Sequence, residues 1–89
     1  MTKFELRGNQ IRDLAKSLVL EFMQANGECQ AGKDGIKQAQ IFKQCGFDWG
    51  DYPIAKSTRQ QYWIAAIIWE LKAEGKVERV SKSGPWRLT

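Results

Sequence analysis

The chain has no histidine, only two cysteines and two prolines among its 89 residues, and no long apolar run. Without histidine, the usual general base and the commonest metal ligand are missing. Cys29 and Cys45 form a single widely spaced pair, and with no second pair they do not make a zinc site. They are expected as reduced thiols in a cytoplasmic protein, one associated with the nucleoid if the source is bacterial. The longest apolar stretch, Tyr62 to Trp69, is far short of the ~20 residues that span a bilayer. The N-terminus is polar and mixed in charge, unlike a signal peptide. No glycine-rich phosphate loop and no recognisable nucleophile motif is found. The expected class is therefore a non-enzymatic protein without metal, membrane or small-molecule cofactor.

What is present reads as one domain over residues 1–89. Hydrophobic residues make up 43% and charged residues 27%, a globular composition. The net charge is +4, and its placement is informative. Over residues 1–55 the basic and acidic residues cancel. The excess lies in residues 56–89, where Lys56, Arg59, Lys72, Lys76, Arg79, Lys82 and Arg87 face only Glu70, Glu74 and Glu78. A localised positive field suits a polyanion.

Thr2 to Arg7 alternates in polarity, which predicts a short strand or extended arm ending at Gly8. Phe4-Glu5-Leu6 would then supply either a dimer strand or cover for the core. Asn9 is the expected cap of a first helix over about 9–25, with an apolar stripe of Ile11, Leu14, Ala15, Leu18, Val19, Phe22 and Met23. Residues 28–33 form a connector with enough backbone for a strand pairing. Asp34 is expected to cap a second helix over 35–45 that ends at Gly46. Residues 48–56 form a loop carrying Trp49, Tyr52 and Ile54. A third helix is predicted over 58–74, opened by a capping box of Ser57 with Gln60 or Thr58 with Gln61. It is apolar on two sides, which predicts burial from two directions and places Trp63 and Trp69 in the core. Gly75 stops it, and residues 76–88 read as a β-hairpin with a Ser81-Lys82-Ser83-Gly84 turn and Trp86 in the core.

The predicted fold is thus mainly α with a small hairpin: three helices, a C-terminal wing and a possible short N-terminal strand, the order of a winged helix-turn-helix. The segment Leu71-Lys72-Ala73-Glu74-Gly75, then Val77, then Gly84-Pro85-Trp86-Arg87-Leu88-Thr89 resembles the end of the winged-helix domain that precedes the nuclease in Mrr-type restriction endonucleases. There a leucine-lysine helix end and glycine lead into a hairpin closing on a "Gly-x-Trp-Arg-Ile-Thr" strand. The resemblance implies a double-stranded DNA partner. Nuclease carboxylates are not arranged here, so binding without cleavage is expected.

In that arrangement the polar first turn of the third helix enters the major groove. Arg59 is the candidate reader of guanine, and Gln60 and Gln61 of adenine. Lys56, Ser57 and Thr58 are placed for phosphate, since helix N-termini favour anions. In the wing, Arg79, Ser81, Lys82 and Ser83 are candidates for the backbone or minor groove. Lys37 and Lys43 read as plain surface charge. One such module buries on the order of 600–1,000 Å² on DNA, so a homodimer or larger protein complex is expected. The competing reading is a protein-interaction adaptor on the same scaffold.

Overall fold

The computed structural model describes residues 1–47, 62–82 and 84–89. Among them are helix α1 (Lys3–Ala25), a 3-10 turn (Gly27–Cys29), α2 (Gln38–Gln44), α3 (Tyr62–Ala73) and two strands, β1 (Val77–Arg79) and β2 (Trp86–Leu88), paired antiparallel. No helix among the described residues is long and apolar enough to cross a membrane.

The N-terminus differs from the sequence expectation. Residues 3–8 are helical, not a strand, and Thr2, not Asn9, is the cap. The Thr2 hydroxyl accepts the Glu5 N–H at 3.1 Å, and the Glu5 carboxylate accepts the Thr2 N–H at 3.3 Å. This reciprocal capping box satisfies two helix-end donors and starts the helix before Gly8. An interior glycine costs about 1 kcal/mol, too little to stop a helix already nucleated and capped. Phe4 accordingly neither pairs as a strand nor covers the core; it is 76% exposed. At the other end of α1, the Gln30 side-chain amide donates to the carbonyls of Met23, Gln24 and Asn26, helping to close the last turn of the helix.

The second helix is shorter than predicted. Asp34 does not cap it; Lys37 occupies the cap position without a side-chain hydrogen bond. The cause is the preceding backbone. Ile36 exchanges two hydrogen bonds with Trp86, N–H to carbonyl at 2.9 Å in one direction and 2.8 Å in the other, an isolated antiparallel bridge beside β2. A residue committed to a sheet ladder cannot also be helical. Gly35, at φ +79°, makes the approach possible: a Cβ there would lie 2.6 Å from the Trp86 carbonyl oxygen. α2 ends as expected at Gly46. The Phe47 N–H reaches back to the Phe42 carbonyl and the Gly46 N–H to that of Lys43, a Schellman pattern in which the two phenylalanine rings come within 6.4 Å. α3 closes the same way, with Lys76 bonded to Leu71 and Gly75 to Lys72. Of the predicted third helix, residues 58–61 lie outside the described residues, as does the whole of the predicted 48–56 loop, including Trp49, Tyr52 and Ile54.

One core joins all elements. Ala15, Val19 and Met23 of α1 meet Ile41 and Phe42 of α2, Ile67, Ile68 and Leu71 of α3, and Cys29, Val77 and Trp86. Along the polar edge of the α1–α3 contact, Arg12 pairs with Glu70 at 3.6 Å and the Lys16 ammonium hydrogen-bonds the Glu74 carboxylate. That bond holds the Glu74 carboxyl below the ordinary carboxylate range. Because the folded-state value is depressed, the stabilisation is present above the unfolded carboxylate pKa and is lost as pH falls through the folded value.

Two glycine-to-alanine substitutions are expected to act in opposite directions. Gly35→Ala combines a strained φ with a clash against Trp86 and should cost more than about 2 kcal/mol. Gly8→Ala, where a Cβ meets nothing within 4 Å, should gain about 1 kcal/mol from helix propensity. Thermal unfolding followed by circular dichroism reads both, at roughly 4–8 °C per kcal/mol for a chain of this size.

Candidate nucleic-acid interface

The register of the hairpin sorts its side chains. Val77 pairs with Leu88, Glu78 with Arg87 and Arg79 with Trp86. Side chains alternate across a strand, so Val77, Arg79, Trp86 and Leu88 share one face and Glu78 and Arg87 the other. The first face closes on the core: Val77 and Trp86 are buried. The second carries a cross-strand ion pair, Arg87 Nη2 to Glu78 Oε2 at 2.9 Å, and Arg87 Nη1 also donates to the Lys33 carbonyl at 2.8 Å. Arg87 therefore ties the connector to the hairpin.

Arg79 sits on the core face, at the end nearest the turn. Its guanidinium lies 4.9 Å from the Trp86 ring centre and 5.2 Å from that of Trp69, within cation–π range. Its Nη1 donates to the Lys82 carbonyl at 3.0 Å, so the turn is braced from beneath. Arg79 Nε and Trp86 Nε1 are buried with no hydrogen-bond partner among the described residues. Trp69 departs from expectation. It was predicted as core but is 44% exposed, set edge-on against Trp86 at 5.4 Å and 87°. Trp86 already occupies the interior on this side, so Trp69 packs over it. The Lys72 ammonium lies 4.7 Å from the Trp69 ring centre. Glu70 of α3 and Glu74 just beyond its end are paired towards α1, which leaves the side facing the hairpin to Lys72 and Arg79.

The structure thus places part of the predicted site. Ser81 and Lys82 are exposed at the hairpin turn, and among the described residues the Lys82 ammonium has no ion-pair partner. Arg79 is half-buried and engaged as described. Lys56, Ser57, Thr58, Arg59, Gln60, Gln61 and Ser83 lie outside the described residues. Trp69 and Lys72 were not among the sequence candidates. Their spacing of three on one helix was the available signal, since such residues are surface neighbours. No group of three His, Cys, Asp or Glu among the described residues could hold a metal. Cys29 and Cys45 are free thiols. Burial pushes both thiol pKa values up, with the nearby Glu28 charge adding to the effect at Cys29, which disfavours the reactive thiolate.

Comparison with known proteins brings no match: no protein-family model, no curated protein and no solved structure aligns significantly with this chain.

Arg79→Ala should loosen the hairpin, costing about 1–2 kcal/mol through two cation–π contacts and the uncovered Trp86 ring. Lys82→Ala, which leaves the backbone carbonyl in place, should leave stability within about 0.5 kcal/mol. Urea unfolding monitored by tryptophan fluorescence separates the two.

Proposed function

We propose that this chain is a winged-helix domain that binds double-stranded DNA and serves as a regulator or DNA-targeting module. In this reading α3 enters the major groove and the hairpin turn lies on the backbone or minor groove. The observation that carries it is the braced hairpin: Arg79 holds the Lys82 backbone from below while Ser81 and Lys82 remain exposed beside the positively charged side of α3. A turn held at Lys82 by Arg79, with an ammonium unpaired among the described residues, is suited to phosphate. The Ile36–Trp86 bridge supports the same reading, because it sets a strand-like residue between the first two helices against the hairpin, as a wing sheet requires. Arg59, Gln60 and Gln61 are the proposed base readers, and Lys56, Ser57, Thr58 and Ser83 join Ser81 and Lys82 on the sugar-phosphate backbone. The likeness of the residues around Trp86 to Mrr-type winged helices points the same way.

The second reading, a protein adaptor, is favoured by the exposed Trp69 and by the exposed apolar flank of α1. Titration of labelled random duplex DNA, followed by fluorescence anisotropy at several salt concentrations, decides between them. The DNA reading predicts binding with a log–log salt slope of roughly −4 to −6. Lys82→Ala should reduce the magnitude of that slope by about one, and Arg59→Ala should cost about 1–3 kcal/mol on a selected site. Absence of binding at low salt, with the protein folded, would overturn the DNA reading in favour of the adaptor.

A further inference from the structure

α1 is wider in its apolar character than the core that it serves. At about 100° per residue, Ala15, Val19 and Met23 form one line, and these are its buried residues. Phe4, Ile11, Leu14 and Leu18 fall on an adjacent line, centred roughly 100° away by the same geometry. On that line Phe4 is 76% exposed, Ile11 62%, Leu14 71% and Leu18 39%. Their spacing, with Arg7, is the alternating three-and-four repeat of a two-helix seam. Leu6 lies off this line. A cleft of about 390 Å³ between α1 and α3, lined by Gly8, Ile11, Arg12, Ala66, Ile67 and Glu70, borders the seam.

The charges on the seam identify the occupant. Lys3 and Arg7 lie at its N-terminal end and Glu21 at its C-terminal end. All three are exposed, and none is in an ion pair among the described residues. A parallel pair of α1 helices would set Lys3, Arg7 and Glu21 each against its own copy. An antiparallel pair, with its two-fold axis at the level of Arg12 and Asp13, sets Ile11 against the partner's Leu14 and Arg7 against the partner's Leu18. The partner's Glu21 then lies between Lys3 and Arg7. In this register Ile11 and Leu14 form the apolar centre, Phe4 and Leu18 flank it beside the partner's Glu21 and Arg7, and the opposite charges are complementary about the axis, as a two-fold interface requires.

We infer that the exposed flank of α1 is the dimerisation surface of this protein, through which two copies pair with their first helices antiparallel. The inference stands independently of DNA binding.

Sedimentation equilibrium of the full chain from about 5 to 200 μM tests it in the concentration range where weak to moderate dimers are read. The expected result is a mass of twice 10.2 kDa, reduced to the single-chain mass over this range by Leu14→Glu. Arg7→Glu and Glu21→Arg should each weaken association at least about tenfold, and combining them in one chain should restore it, because each reversed charge then meets its reversed partner. Both charge variants lie on exposed turns and preserve the fold, which circular dichroism checks. A wild-type chain that stays single at the highest concentration overturns the inference. So does a dimer that is indifferent to Leu14→Glu, or charge variants that the double reversal does not rescue.

Discussion

The structure depends on the environment of Trp86. Among the described residues it is the largest fully buried side chain, and its backbone is shared between two partners, Arg79 across the hairpin ladder and Ile36 across the isolated bridge. Its ring carries the Trp69 edge on one side and the Arg79 guanidinium on another. Three parts of the chain that are far apart in sequence therefore meet on one residue: the connector after α1, the end of α3 and the hairpin. Deleting a buried aromatic typically costs about 3–5 kcal/mol, a large share of the roughly 5–15 kcal/mol that holds a domain together. Gly35 belongs to the same constraint, since only a residue without a Cβ lets the connector come so near the Trp86 carbonyl.

Charge is divided between the faces of the molecule. α1 draws Glu70 of α3 and Glu74 beyond its end to itself through Arg12 and Lys16. Arg87 is spent on Glu78 and on the connector. What remains on the hairpin side is Lys72, Arg79 and Lys82, with an exposed tryptophan among them. The acids nearest the hairpin, Glu70, Glu74 and Glu78, are each in an ion pair, which leaves the local charge there positive.

Much of this was legible in the sequence. The periodicity of Leu14 through Met23 located α1, the glycines at 46 and 75 located two helix ends, and the Ser81–Gly84 turn located the hairpin. The misses have definite causes. Thr2 and Glu5 are a capping box, yet the alternation of Phe4 and Leu6 with charged residues imitates a strand over so short a span. Ile36 reads as helical from its neighbours, and only a partner far along the chain makes it a bridge residue. Trp69 reads as core because hydrophobicity says nothing about which of two tryptophans takes the interior place. In the candidate site, the exposed turn of Ser81 and Lys82 was legible from composition. The bracing of that turn by Arg79 was not, because it depends on rings contributed by two separate elements.

The connector's place beside β2 has a consequence for how the chain assembles. Helices and hairpins close within about microseconds because their contacts are local. The Arg87–Lys33 contact joins residues 54 apart, as the neighbouring Ile36–Trp86 bridge likewise does at long range, and such closure carries a larger entropic cost. Until it happens, the outer edge of β2 is an unpaired strand edge. That edge accepts an Ile36 backbone in antiparallel register and has no means of telling its own from that of a neighbouring molecule. Once the Ile36 bridge has closed, that edge is paired within its own chain and the hazard is removed.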